Sequence, residues 1–175
     1  ALGVNPSTSR RYLDLLTDAL MVRQLQPWHA NLGKRQVKMP KVYVRDSGLL
    51  HQLFGLGTEK AILSHPRVGA SWEGFVIEQV LAAESYDEAY FWATHQGAEI
   101  DLILRRGDRL FGVECKRVDA PRLTPSIRIA LDDLRLQRVA IVYPGSKRVA
   151  LTDRVEAVPV GALAVPGHLF EEETV

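Results

Sequence analysis

Two neighbouring segments of the sequence carry acidic side chains and one lysine at a spacing suited to metal-assisted chemistry. Glu99 and Asp101 alternate in the first segment, and Glu114 and Lys116 alternate in the second. Between them, Gly107-Asp108 is typical of a two-residue hairpin turn. Side chains two residues apart on a strand lie on one face, so this hairpin would gather the acidic groups and the amine.

The turn fixes a predicted register. Its apolar side pairs Ile100 with Cys115, Leu102 with Val113, and Leu104 with Phe111. Its other side places Asp101 opposite Glu114, Glu99 opposite Lys116, and Ile103 beside Gly112.

The predicted pairing of Asp101 with Glu114 needs an explanation, because like charges directly opposite each other destabilise a hairpin. A divalent cation would resolve this conflict, since Mg²⁺ binds one or two carboxylates and keeps several waters. Lys116 would then position the attacking water and stabilise transition-state charge. The alternative is a solvated ion-pair face in which Glu99 pairs with Lys116.

A fourth acidic residue stands on a predicted helix over residues 69–83. Its apolar stripe, behind Trp72 and Phe75, consists of Val76, Ile77, Val80 and Leu81. Glu73 lies on that stripe. Two interpretations are open: a carboxylate favoured by the dipole in the first helical turn, or one directed over a packed neighbour.

The remaining elements predict an α/β fold. Helical periodicity runs to about Leu20 and again from Thr124, a short helix spans 47–54, and extended segments cover 22–27, 41–45, 89–95, 98–105, 109–116, 139–143, 148–151 and 155–160. The run 139–143 is apolar throughout, which predicts a strand covered on both faces. A helical crossover should join it in parallel to strand 109–116.

Charge divides the chain unevenly. Residues 1–45 carry eight basic and two acidic residues, a net charge of +6, while residues 46–175 carry 14 basic and 19 acidic residues, a net charge of −5. A helix followed by a basic hairpin is typical of a winged helix, although a complete helix-turn-helix is not visible. Its nucleic-acid backbone contacts would come from Arg10, Arg11, Lys34, Arg35, Lys38 and Lys41. The alternative is that these charges are merely solvated.

Composition excludes several classes of protein. With 175 residues, 46% hydrophobic and 25% charged, the chain suits a globular fold. It has no apolar run long enough to span a membrane and no signal-peptide pattern, so we expect a cytoplasmic protein. The single cysteine, Cys115, falls on the apolar side of the hairpin and is expected to be buried. The five histidines lack metal-ligand spacing, and the three tryptophans are expected to be core anchors, Trp28 least clearly.

The acidic motifs resemble those of the PD-(D/E)xK nuclease superfamily. Segment 97–101 (GAEID) matches its first acidic motif, segment 113–116 (VECK) matches its ExK motif, and Glu73 matches the acidic residue often supplied by the preceding helix. The resemblance implies a restriction-endonuclease-like mixed sheet flanked by helices.

More closely, the chain is similar to the C-terminal region that follows AAA-type ATPase modules in many bacterial and archaeal proteins. Segments 39–49 (MPKVYVRDSGL), 72–76 (WEGFV) and 97–101 carry this likeness. It implies a partial winged-helix segment over 1–57, a linker over 58–68, a nuclease-like domain over 69–160 and a peripheral tail over 161–175. The sequence lacks a GxxxxGK[ST] loop, so the ATPase module is expected to be missing from this chain.

These observations predict a Mg²⁺- or Mn²⁺-dependent DNA phosphodiester hydrolase associated with an ATPase. Asp101 and Glu114 would hold the metal, Glu73 would bind it directly or through water, and Lys116 would orient the hydrolytic water. The alternative is a non-catalytic module that retains the nuclease fold and binds DNA or a protein partner.

Overall fold

The fold was obtained as a computed structural model, which describes residues 3, 5–29 and 39–170. It is a mixed α/β structure in which helices flank an eight-stranded sheet. The helices are α1 Pro6–Asp18, α2 Ser47–Leu53, α3 Glu59–Ser64, α4 Val68–Ala83 and α5 Pro125–Asp133, followed by a 3-10 helix at Val160–Ala164. The strands are β1 Val22–Pro27, β2 Lys41–Val44, β3 Glu88–Ala93, β4 Glu99–Arg106, β5 Arg109–Cys115, β6 Arg138–Tyr143, β7 Val149–Thr152 and β8 Val155–Pro159.

The sheet joins the N-terminal strand pair to the rest of the chain. Its order is β2-β1-β3-β4-β5-β6-β8-β7. Strands β1 and β2 are antiparallel, and β1 then pairs in parallel with β3. Strands β5 and β6 are parallel with α5 between them in the chain, which confirms the predicted helical crossover. The basic N-terminal segment therefore supplies one end of the sheet.

The predicted hairpin register is confirmed near the turn. Leu102 pairs with Val113, Ile103 with Gly112, and Leu104 with Phe111. Gly107 has a φ of 57°. That left-handed backbone is readily adopted by glycine, which explains why the glycine comes first in the turn.

The register prediction is wrong farther from the turn, where β4 contains a bulge. On the β3 side, Tyr90 pairs with Ile103 but Trp92 pairs with Ile100, so β4 has one extra residue between the two pairs. Ile100 consequently packs on the same face as Ile103 and not with Cys115. A bulge redirects side chains locally, and this one lies next to Asp101.

The sheet separates two apolar clusters. On one face, Leu102, Leu104 and Val113 pack against the apolar residues of α4. On the other, Ile103 and Ile141 pack against α5. Strand β6 contributes alternate residues to both clusters, which confirms that it is covered on both faces. This two-sided burial holds the ends of β4 and β5 at fixed positions.

Two parts of the predicted organisation need correction. The segment 58–68, predicted as a linker, contains α3. The segment 161–175, predicted as a peripheral tail, includes Leu163, Leu169 and Phe170, which are buried in the cluster beneath α4. Apolar side chains spaced too irregularly to predict an element can still complete a core. Residues 171–175 lie outside the described part of the chain.

An ion-pair cluster fastens the N-terminal strand pair to α4. The Glu78 carboxylate accepts hydrogen bonds from Arg23 on β1, with Nη2 to Oε2 at 3.0 Å, and from Arg45 Nε at 2.9 Å. Burial opposes ionisation of Glu78, but the hydrogen bonds from Arg23 and Arg45 outweigh it and lower the pKa of its carboxyl group. The Glu78 carboxylate thus links α4 to β1 and to the end of β2.

We expect Glu78→Gln to lower the free energy of unfolding by about 1–3 kcal/mol, because it leaves two partly buried guanidinium groups without a counter-charge. A carboxyl group whose pKa is lowered on folding stabilises the protein above its unfolded pKa and loses this effect as pH falls through the folded value. Urea titrations between neutral pH and pH 3 should therefore show a smaller acid-induced loss in the variant than in the wild type. Exposed Glu59→Gln serves as the control; equal losses in all three proteins would contradict the assigned role of Glu78.

Candidate functional site

Three carboxylates from α4 and the start of β4 converge. Glu73, Glu99 and Asp101 each present a carboxylate oxygen, and these oxygens lie within 4.8 Å of one another. We call these three residues the acidic cluster. It is the one group of three or more potential metal-ligating side chains found in the described residues. Asp101 is buried, whereas the other two side chains are partly exposed.

The Lys41 ammonium lies inside the acidic cluster. Its Nζ atom donates to Glu73 Oε1 at 2.8 Å and to Asp101 Oδ1 at 3.3 Å, and it forms an ion pair with Glu99 Oε1. It also lies 5.4 Å from the ring centroid of Phe91, a favourable cation–π distance. Burial would lower the pKa of Lys41, but the charges of Asp101 and Glu73 outweigh it and raise that pKa. The amine is therefore held as a cation.

Tyr43, two residues along the same strand, also reaches the cluster. Its hydroxyl group donates to Glu73 Oε1 at 2.5 Å. Burial, reinforced by the negative charge of Glu73, raises the pKa of Tyr43. The ring lies close to α4 at Gly74, where an added Cβ atom would be 3.2 Å from Tyr43 Cδ1. A glycine next to Glu73 thus permits the helix and the tyrosine to approach.

The bulge in β4 gives Asp101 a second role. Its Oδ2 atom accepts the backbone N–H of Cys115 at 2.9 Å, beyond the last regular β4–β5 pair at Leu102 and Val113. The side chain replaces a missing ladder partner while its Oδ1 atom contacts Lys41. Burial and the charge of Glu73 together raise the pKa of Asp101.

Glu114 has a carboxylate oxygen with no compensating donor. The residue is 5% exposed, its Oε1 atom pairs with Lys116 Nζ at 2.6 Å, and its Oε2 atom is buried without a hydrogen-bond partner in the described part of the chain. Burial and the charge of Asp101 raise the pKa of Glu114 to about 7, against the opposing effect of Lys116. A buried carboxylate oxygen without a partner raises the free energy of the folded state, so a positively charged partner at this atom would be stabilising.

The predicted site residues therefore form two contacting sets. Glu73 and Asp101 meet at Lys41, whereas Glu114 and Lys116 pair with each other next to Asp101. Glu73 lies in the second turn of α4, which starts at Val68, so the first-turn interpretation is wrong. Glu99 contacts Lys41, and not Lys116 as the ion-pair alternative required.

Sequence reasoning missed the contributions of Lys41 and Tyr43 to this site. Lys41 was predicted to contact nucleic-acid backbone, but it points into the acidic cluster. Its alternation with Tyr43 on β2 predicts a shared face, and that signal was available. Nothing in the sequence pattern indicated that this face meets α4, because the pairing of β1 with β3 joins distant parts of the chain.

The other predicted phosphate contacts differ in their placement. Arg10 and Arg11 are exposed on α1. Lys34, Arg35 and Lys38 lie outside the described residues.

The cysteine and two of the tryptophans pack in the two apolar clusters. Cys115 is buried as predicted, and burial raises the pKa of its thiol. Trp92 is fully buried, and Trp28 packs edge-on against Tyr90 with ring centroids 5.0 Å apart. These aromatic residues serve as core anchors.

Comparison with known proteins identifies relatives but no characterised activity. The family described as Domain of unknown function (DUF4143) matches residues 68–163, and a second, Domain of unknown function (DUF8612), matches residues 1–60. Uncharacterized protein Rv2008c of Mycobacterium tuberculosis and uncharacterized protein Mb2031c of Mycobacterium bovis are each 50% identical over 171 residues. That alignment covers 98% of this chain but 39% of each relative. No solved structure matches the chain.

Two further observations concern where the matched family occurs and whether the helices could span a membrane. DUF4143 domains are found in ATPase-associated C-terminal regions. Within the described residues, every helix is too short or too polar to cross a membrane.

The close contact between Gly74 and the Tyr43 ring predicts how an alanine at position 74 changes stability. Alanine normally stabilises a helix over glycine by about 0.5–1 kcal/mol, and we expect this gain for Gly69→Ala, whose added Cβ would meet no atom within 4 Å. Gly74→Ala should instead lower the free energy of unfolding by about 1 kcal/mol, because the methyl group displaces the Tyr43 ring. Urea denaturation of both variants measures the difference. A stabilising Gly74→Ala would show that the ring is not held against the helix.

Proposed function

The chain belongs to the family Domain of unknown function (DUF4143), and we propose that it is a Mg²⁺- or Mn²⁺-dependent phosphodiester hydrolase acting on DNA. The observation that carries this proposal is the buried Oε2 atom of Glu114, which lacks a hydrogen-bond partner in the described residues, in a carboxyl group close enough to Asp101 for the charge of Asp101 to raise its pKa. We further propose a restriction-endonuclease-like core with a partial winged helix before it, working in the cytoplasm with an ATPase module.

The donor set fits a hard divalent cation. Carboxylate oxygens from Glu73, Glu99, Asp101 and Glu114 are the ligands that Mg²⁺ and Mn²⁺ prefer. Glu73, Glu99 and Asp101 already present oxygens within 4.8 Å of one another, a group that does not include Glu114. Asp101 and Glu114 would hold the ion, and Glu73 and Glu99 would bind it directly or through water. When bound, the cation would supply Lewis acidity and a more acidic water.

The protein side chains would divide the remaining work. Lys116, whose pKa is raised because its pairing with Glu114 outweighs burial, stays protonated and can donate a hydrogen bond to the attacking water or to a phosphate oxygen. Asp101 keeps its place through the Cys115 N–H, so its Oδ1 atom, which contacts Lys41, is oriented before any ligand arrives. The exposed Arg10 and Arg11 would contribute salt-sensitive contacts to the DNA backbone.

A second function is favoured by one observation. Lys41 already forms ion pairs with all three carboxylates of the acidic cluster, as expected if the site were a structural ion-pair network in a non-catalytic module. Such a module would bind DNA or a protein partner of the ATPase. Calorimetry with Mg²⁺ and Mn²⁺ separates the two: DNA binding without any metal binding would favour the non-catalytic module.

We expect Lys116→Ala to reduce the rate of DNA cleavage by at least about 100-fold, because the amine that orients water and stabilises developing charge is lost. The assay follows cleavage of plasmid and single-stranded DNA with Mg²⁺ or Mn²⁺. Lys147→Ala, which removes an exposed lysine on the loop after β6, is the matched control and should cleave as the wild type does. Equal activity of Lys116→Ala and the wild type would reject the hydrolase assignment.

A further inference from the structure

Lys41 occupies the position that a bound cation would compete for. Its ammonium contacts the same three residues, Glu73, Glu99 and Asp101, whose oxygens form the candidate metal-ligand set. A carboxylate oxygen that accepts a charge-assisted hydrogen bond from an ammonium is unfavourably arranged for a second cation, since the two positive charges repel at short range. The Lys41 ammonium and a bound metal ion would therefore compete for the same three carboxylates.

We propose that Lys41 is a built-in counter-ion that a divalent cation must displace from the acidic cluster, so that β2 sets the metal affinity of the site. This inference rests on the metal site proposed above and adds its regulation. The ammonium is tethered to the protein and pays no translational entropy on entering the cluster, which makes it an effective competitor. Its removal should expose the full charge of the carboxylates to the metal.

The surroundings of Lys41 explain why displacement is feasible. Its side chain is 24% exposed and therefore borders solvent. Glu73 keeps the hydrogen bond from Tyr43, and Asp101 keeps the one from the Cys115 backbone, when the lysine leaves. Glu73 and Asp101 therefore retain their positions through partners that do not block their remaining oxygen lone pairs.

Lys41 and the acidic cluster lie in two parts of the chain that different families match. Lys41 belongs to the segment matched over residues 1–60, whereas Glu73, Glu99 and Asp101 belong to the segment matched over 68–163. The Glu78 ion pairs with Arg23 and Arg45 hold β1 and β2 near α4. A change in the position of the N-terminal segment would thus change how strongly the site is self-neutralised.

The test is calorimetric titration of the whole 175-residue chain with MnCl₂, comparing wild type, Lys41→Met and the matched control Lys60→Met on the exposed face of α3. We expect Lys41→Met to bind Mn²⁺ at least about tenfold more tightly than the wild type, because the competing charge is gone. Lys60→Met should match the wild type. Equal or weaker binding by Lys41→Met would overturn the exchange, while Mn²⁺ binding by the wild type would leave the metal site standing. No binding by either protein would overturn both proposals.

A stability measurement guards against loss of folding in Lys41→Met, which leaves three neighbouring carboxylates without their ammonium. We expect Mn²⁺ to raise the Tm of Lys41→Met by more than it raises that of the wild type, or to restore folding if the variant is unfolded without it. Adding Asp101→Asn to Lys41→Met should abolish this response. A Tm increase no larger than that of the wild type, or an increase that survives Asp101→Asn, would count against exchange at this cluster.

Labelling of the unmodified protein provides a third readout. Displacement by Mn²⁺ should increase the reaction of Lys41 with an amine-directed acetylating reagent, measured by mass spectrometry relative to exposed Lys60 and Lys147. Unchanged relative labelling at saturating Mn²⁺ would show that the ammonium remains in the cluster, and the exchange would be rejected.

Discussion

The site depends on neutralising carboxylates that the fold takes out of water. Asp101 and Glu114 are almost completely buried, and the charge of Asp101 raises the electrostatic cost of ionising Glu114. At reduced dielectric such repulsion is strong, so positive charge must be supplied nearby. Lys41 serves one part of this group and Lys116 serves the other. The Oε2 atom of Glu114 has no hydrogen bond from either lysine or from any other group in the described part of the chain. This buried oxygen without a positive partner supports the proposed cation chemistry.

Two local departures from regular structure make this arrangement possible. The extra residue in β4 interrupts the ladder with β5, and Asp101 can then use one oxygen to satisfy the Cys115 N–H and the other to contact Lys41. Gly74 has no side chain, so the Tyr43 ring can approach α4 and its hydroxyl group can reach Glu73. Each departure weakens a regular element and gains a defined position for a polar group, as is common at functional sites.

The N-terminal segment is part of the site as well as a neighbour of it. Strand β2 brings Lys41 and Tyr43 to residues of α4 and β4, and the paired Arg23 and Arg45 hold it through Glu78. The segment predicted as a partial winged helix therefore supplies two side chains of the site, which its net positive charge did not indicate. Part of its positive charge pairs with acidic residues of the same chain, so fewer basic side chains remain for contacts with nucleic acid.

The sequence alone determined the local parts of this protein. Alternating side chains and a glycine-first turn predicted the β4–β5 hairpin near Gly107, and helical periodicity predicted α4 with Glu73 on it, because these signals depend on residues close together in the chain. Tertiary structure decided the rest. The bulge beside Asp101 and the arrival of Lys41 depend on how β3 pairs with β4 and with β1, and pairings across tens of residues leave no periodic signal in the sequence.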